Sequence, residues 1–214
     1  MSTALLYGLN YSVYTRIARI ALEEKHVTYR LEEVDIFSGQ GAPADYLKHH
    51  PFGKIPVLRH GGFCLYETRA ITCYVDEAFP GPSLQPDAPE DRVRMWQTIS
   101  VLDSYAYRPM IWDVFVERVS NPREGVASDE QTVARALPAI GKCLHVLSEL
   151  LGERQFFGGN APSLADLHAT PILMYFHMTP EGSGLLERRH TLRRWLKQMT
   201  GRESVTRSRC DYGY

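Results

Sequence analysis

Residues 51–71 read PFGKIPVLRHGGFCLYETRAI, and this stretch decides how the rest of the chain is interpreted. Ile55–Arg59 and Phe63–Tyr66 are short β-forming runs, and Gly61-Gly62 between them is the dipeptide of a tight hairpin. Pro56 stands at the opening of the first run, where a strand loses no ladder hydrogen bond to a residue without an N–H. A cis peptide before Pro56 would turn the amide and carbonyl of Ile55 outward, available to an extended peptide; these residues alone do not separate cis from trans. After the hairpin, Thr68 is placed to cap a helix whose apolar face is Ala70, Ile71, Tyr74, Val75 and Ala78.

Working back toward the N-terminus, residues 3–7 form an apolar run that ends in the turn Gly8-Leu9-Asn10. Ser12 then precedes Val13, Ile17, Ile20 and Ala21, one face of an amphipathic helix behind a good N-cap. Thr28–Val34 alternates β-formers with charged residues, Ser38 to Pro43 reads as loop, and Tyr46-Leu47 as a short helix. The order is strand-helix-strand and then strand-strand-helix, which implies a sheet covered by helices.

Working forward, Pro80-Gly81-Pro82-Ser83 and Pro86-Asp87-Ala88-Pro89 make a helix-breaking linker. Beyond it the pattern is helical: a long segment from Arg92 to Val119 interrupted at Pro109, a loop over Asn121–Ser128, and a helix from Glu130 to Leu151. The expected organisation is an α/β domain over 1–79, a linker over 80–90 and an all-α domain over 91–214.

Composition narrows the function classes. A net charge of -1 over 214 residues gives no electrostatic case for nucleic-acid binding, which is not expected. No apolar run reaches the length of a membrane span, and the N-terminus lacks the pattern of a signal peptide. Cys64, Cys73, Cys143 and Cys210 are scattered without a Cys-x-x-Cys pair, so the cytoplasm is expected, with no disulfide framework and no metal site. His49-His50 is only a weak metal signal.

The segments PFGKIPVL and ETRAI, with their spacing, resemble the cytosolic glutathione transferase superfamily, in particular its serine-type, phi/beta-like bacterial members. A second match, Phe157-Gly158-Gly159-Asn160-Ala161-Pro162-Ser163-Leu164-Ala165-Asp166, is similar to that family's capping box in the helical domain. The local physics agrees, since Asp166 can reach back to the amide of Ser163. The resemblance implies a thioredoxin-like N-terminal domain, an all-α C-terminal domain, a homodimer, and a detoxifying transferase. Its co-substrates would be glutathione and a small hydrophobic electrophile; a non-catalytic binding or regulatory protein of the same fold is the alternative.

The resemblance also implies roles at the glutathione site. Pro56 would be cis and Ile55 would pair its backbone with the cysteinyl part. Glu67 would meet the γ-glutamyl ammonium and Thr68 the γ-glutamyl carboxylate, at a helix N-terminus that favours an anion. Lys54 would approach the other end of the tripeptide. The glycine end falls near Gln40-Gly41-Ala42, where plant-type relatives carry a His-Lys pair; neither cation is present here, and Gln40 offers a hydrogen bond in their place.

A thiol of pKa about 8.5 is only a few per cent ionised at neutral pH, so the site must stabilise the thiolate. Three hydroxyls compete. Ser12, in Ser12-Val13-Tyr14-Thr15-Arg16, resembles the Ser-x-x-Thr-Arg of the serine-type classes and ranks first. Tyr11 ranks second and Tyr7, at the end of the first strand, third. For the electrophile the resemblance points to the long helix after the linker, at Tyr107, Met110, Ile111 and Phe115, three of which share a stripe that on spacing alone reads as core. The basic residues between Arg188 and Arg209 read as a solvated face on a last helix with a flexible tail.

Overall fold

The structure is a computed structural model that describes residues 3–37, 39 and 41–210. Its first half carries β1 (Ala4–Gly8), α1 (Val13–Glu24), β2 (Tyr29–Glu33), a 3₁₀ turn at Tyr46–Lys48, β3 (Val57–His60), β4 (Phe63–Tyr66) and α2 (Thr68–Ala78). The strands form one sheet in the order β2-β1-β3-β4, with β1 parallel to β2 and the other pairings antiparallel. Successive side chains of a strand point to opposite faces. Ala4, Leu6 and Leu58 therefore pack with Ala18, Ala21 and Leu22 of α1 and Ile71 and Val75 of α2. Tyr7 and Val57 face the other way, into a second cluster with Tyr46 and Ile55. This is the thioredoxin-like arrangement.

The second half is helical: α3 (Pro89–Val101), α4 (the single turn Asn121–Arg123), α5 (Glu130–Leu151), α6 (Leu164–His177), α7 (Pro180–Glu187), α8 (His190–Thr200) and α9 (Glu203–Arg207). Between α3 and α4 the chain stays helical, with wide π-type turns over Leu102–Ala106 and Arg108–Ser120. The break expected at Pro109 is thus absorbed. Proline removes the donor to the carbonyl four residues back, and that carbonyl, Tyr105 O, accepts instead from the Cys143 thiol at 3.1 Å. α6 is buried along Leu164–Phe176, so it is the central helix and needs no amphipathic pattern. None of the described helices is long and apolar enough to cross a membrane.

By packing, the chain forms two compact units, one running to Ser83 and resuming at Arg202, the other Leu84–Gly201. The first unit therefore includes α9. The Glu24 carboxylate at the end of α1 accepts from Arg202 Nε at 2.8 Å, Arg202 Nη2 at 2.7 Å and Ser204 Oγ at 2.5 Å. Arg16 Nε donates to Ser208 Oγ at 3.3 Å, and Arg19 to the carbonyls of Ser208 and Arg207.

The basic stretch accordingly divides: Arg193, Arg194 and Lys197 on α8 are exposed, as a solvated face requires, whereas the segment after Arg202 is not a free tail but docks on α1 as α9. Arg202 and Arg207 pair with acids of α1. Arg193 pairs with Glu187, while Arg189 donates to the carbonyls of Leu185 and Gly141 and Arg194 to that of Arg154. Alternating basic residues look the same in sequence whether their partner is water or a distant carboxylate, which is why the pattern did not reveal the docking.

Candidate active site

The strand register assembles the site. Tyr7 lies opposite Val57, and Val57 opposite Tyr66, in one row across β1, β3 and β4. Because β3 runs against its neighbours, the residues just past that row at one end of the sheet are Gly8 to Ser12, then Pro56 back to Lys54, then Glu67 and Thr68. Three segments far apart in sequence thus arrive at one end of the sheet through three residue pairs between β1 and β3 and four between β3 and β4.

Ser12 is the N-cap of α1, with extended backbone, and its Oγ accepts from the amide of Thr15 at 3.4 Å. That is a long, weak bond. The hydroxyl proton is not needed for it and can point elsewhere. Gly8 makes the turn possible: a Cβ there would stand 2.3 Å from the Thr15 hydroxyl and 2.8 Å from its methyl. Thr15 is fully buried and its hydroxyl has no hydrogen-bond partner among the described residues.

The two tyrosines are differently placed. The Tyr7 hydroxyl accepts from Arg59 Nη1 at 3.1 Å, and its ring stacks on His49 with centroids 5.4 Å apart. It belongs to the sheet face away from α1 and α2. Tyr11 packs against the same cluster, 6.5 Å from the ring of Phe37.

At the second segment the Ile55–Pro56 peptide is cis. Ile55 and Pro56 are buried, Lys54 is exposed, and Ile55 stands outside the ladder, which begins at Val57. The carbonyl of Lys54 accepts from Tyr46 Oη at 2.7 Å. Burial pushes the Tyr46 phenol well up, so it stays protonated and keeps donating.

At the third segment Glu67, not Thr68, is the N-cap of α2, and it makes no side-chain cap bond. Its φ is 71°, the left-handed region, which costs a non-glycine residue about 1 kcal/mol or more. The sequence expectation of a Thr68 cap fails because Thr68 is already helical. The strained backbone leaves the Glu67 side chain exposed beside the buried Thr68 at the positive end of an 11-residue helix.

Other expected residues separate. Gln40 lies outside the described residues. In the helical unit Met110, Ile111 and Phe115 are buried, with Phe115 stacked on Tyr175 at 4.9 Å, so these three pack as core; Tyr107 keeps partial exposure. Spacing by four cannot separate a pocket wall from a core stripe.

His50, read from sequence only as half of a weak metal signal, is 2% exposed. Its ring lies 4.7 Å from that of Tyr66, the residue before Glu67, and 6.2 Å from that of Phe52. Its position directly before PFGKIP was the available signal.

Asp166 forms the other polar centre. Fully buried in the helical unit, it accepts from the amides of Phe157 (2.9 Å) and Ser163 (2.8 Å), from Ser163 Oγ (2.9 Å) and from Trp195 Nε1 (2.7 Å). Burial pushes its carboxyl up against the pull of these donors. A carboxylate so enclosed has no access to a substrate.

Comparison with known proteins covers both halves. Residues 6–83 match the family described as Glutathione S-transferase, N-terminal domain, and residues 98–203 match Glutathione S-transferase, C-terminal domain. The chain is similar to Glutathione S-transferase F10 of Arabidopsis thaliana, 31% identical over 84% of this chain and 85% of that one. It is also similar to Glutathione S-transferase F13 of the same plant, 29% identical over 92% and 90%. Among solved structures, glutathione transferase F7 from Populus trichocarpa superimposes with a TM-score of 0.84 at 26% identity, covering 96% of this chain and 97% of that one.

Proposed function

The chain belongs to the glutathione S-transferase family, and from that premise we propose that it is a glutathione transferase whose thiolate is held by Ser12. The observation that carries this reading is the register row, which delivers the Ser12 turn, the Lys54–Pro56 segment and the Glu67-Thr68 helix start to one end of the sheet. The family membership and the names of its relatives support the transferase over a non-catalytic role.

In this site Ile55 pairs its backbone amide and carbonyl with the cysteinyl unit of glutathione. Glu67 takes the γ-glutamyl ammonium, Thr68 its carboxylate at the α2 N-terminus, and Lys54 a carboxylate elsewhere on the tripeptide. The thiol proton leaves to solvent, and the Ser12 hydroxyl donates to the sulfur anion. A hydrogen bond to a charged group contributes about 1.5–3 kcal/mol, which lowers the thiol pKa by about one to two units. The α1 N-terminus acts in the same direction. The thiolate then attacks an electrophilic carbon, forming the C–S bond as the bond to the leaving group breaks and that group, the halide of an aryl halide, departs with the electron pair. Tyr7 is the weakest of the three hydroxyl candidates, because Arg59 already engages its oxygen.

Tyr107 is the candidate contact for an apolar electrophile, with Met110, Ile111 and Phe115 supporting it from the core. A cytoplasmic homodimer is the expected setting, as the family resemblance implies.

The test is Ser12→Ala, assayed with a chromogenic aryl halide across pH. The variant should lose about 10- to 100-fold in rate near neutrality, and the pKa of bound thiol should rise by about one to two units. Full activity with an unchanged profile overturns the Ser12 assignment. Failure of the wild type to be retained on immobilised glutathione overturns the binding reading as a whole.

A further inference from the structure

The binding reading leaves one polar group unexplained. His50 is buried, it closes the turn that carries Lys54 and Ile55, and its Nδ1 has no hydrogen-bond partner among the described residues. The turn is tight: the amide of Gly53 donates to the His50 carbonyl at 2.9 Å, and the His50 amide to Tyr46 at 3.2 Å. An uncompensated polar atom in such a place costs about 1–3 kcal/mol. Structure tolerates that cost where the group has another use.

We propose that His50 is a positioning residue of the glutathione site, whose neutral imidazole leaves Glu67 available to the γ-glutamyl ammonium and whose protonation opposes binding of that ammonium. The inference rests on the glutathione reading above. Its geometric ground is the packing of the ring on Tyr66, immediately before Glu67, and on Phe52, immediately before the Gly53-Lys54 turn.

The charged groups acting on the ring are few. Burial lowers the imidazole pKa, the Glu67 carboxylate acts to raise it, and the Lys54 ammonium to lower it. Tyr46, on the 3₁₀ turn packed beneath, stays neutral because burial pushes its phenol up. Tyr66 and Phe52 bring aromatic faces. The ring is therefore neutral near pH 7, and its protonation is favoured chiefly by Glu67.

Linkage gives the sign. A ligand ammonium seated on Glu67 neutralises the carboxylate that favours imidazolium, while the ligand carboxylate at Thr68 is offset by the positive end of α2, so binding lowers the His50 pKa. By reciprocity, protonating His50 weakens binding by the same factor. Over a window from about pH 7 down to about pH 5, the ammonium and carboxylates of the ligand hold their charges. The histidine is then the titrating group.

The experiment is calorimetric titration of the dimeric or monomeric protein, as purified, with S-methylglutathione, which binds without reacting. Wild-type affinity should fall severalfold to tenfold between about pH 7 and about pH 5, while His50→Asn and His50→Gln should be nearly flat over the same range. In parallel, the His50 ring signals of the wild type, followed by NMR, should titrate at lower pH when S-methylglutathione is saturating. This second readout needs no variant to fold.

Binding with equal pH slopes in wild type and variants, or a His50 titration indifferent to ligand, overturns the inference and leaves the glutathione reading intact. No binding of S-methylglutathione to the wild type at any pH overturns the glutathione reading and this inference with it.

Discussion

Two helices of this protein begin with the same device and put it to opposite uses. α1 starts at Ser12 and α6 at Ser163, and each serine sits just past a glycine-dependent close approach. A Cβ on Gly8 would strike Thr15, and a Cβ on Gly158 would stand 2.6 Å from that of Ser163. The third residue on makes the difference. After Ser163 it is Asp166, which takes the serine amide and hydroxyl together with three more donors, the amides of Phe157 and Gly158 and the indole of Trp195, and closes the turn completely. After Ser12 it is Thr15, whose side chain turns into the core, so that Ser12 keeps one long bond and partial exposure. A cap satisfied by an acid is structure; a cap left half satisfied is a hydroxyl available for chemistry.

The largest test of this contrast is Asp166→Ala. It strands the amides of Phe157 and Ser163 and the indole of Trp195 in the core, and at about 1–3 kcal/mol for each unsatisfied donor the loss should reach about 3 kcal/mol or more. In thermal melts that amounts to a fall of about 6–12 °C. A shift below about 2 °C would show that the α6 turn is not closed in the way described.

Ser12→Ala should reverse the balance, losing rate as set out above while costing less than about 1 kcal/mol of stability, since a 3.4 Å cap bond is weak. If the variant instead unfolds with activity per folded molecule preserved, the two serines are alike after all.

Thr15→Val sharpens the comparison at smaller scale. Replacing a buried hydroxyl that lacks a partner with a methyl should leave stability unchanged or raise it by up to about 1 kcal/mol. A clear loss of activity in a stable Thr15→Val protein would place that hydroxyl in the thiolate network.

The smallest effect concerns a second enclosed carboxylate, Glu24. Burial pushes its carboxyl up, but the bonds from Arg202 and Ser204 and the Arg202 charge hold it below the ordinary glutamate range. A depressed carboxylate stabilises the fold fully above its unfolded pKa and loses that contribution as pH falls through the folded value. Protection of the α9 amides from hydrogen exchange, measured against the intrinsic rate at each pH, should therefore fall below about pH 4 in the wild type. In Arg202→Gln it should already be low at neutral pH, and equal protection in the two proteins at neutral pH would refute the clasp.

Much of the site was legible along the chain. Ser12 and Ser163 announce themselves as caps, Gly61-Gly62 as a hairpin, and the prolines between residues 80 and 89 as the end of the first domain's pattern. β4 and α5 fall on the spans read from sequence. Thr68 was misplaced by one position because a glutamate in the left-handed region is not a local preference. His50 was read only as part of a weak metal signal, because a histidine beside a proline turn has no signature until the ring's neighbours are known. Met110, Ile111 and Phe115 were assigned by resemblance to a substrate wall, whereas their spacing was equally that of the core they occupy.

By itself, then, the amino-acid order determined the succession of strands and helices, the Ser12 and Ser163 caps, the hairpin and the family. Each depends on backbone preference and side-chain spacing within a few residues. Tertiary structure alone decided the cis bond at Ile55–Pro56, the positive φ of Glu67, the isolation of the His50 imidazole, the indole of Trp195 on Asp166 and the docking of α9 on α1. These are settled by groups 10 to almost 200 positions apart in the chain, where burial and the need to satisfy every enclosed donor outweigh local preference.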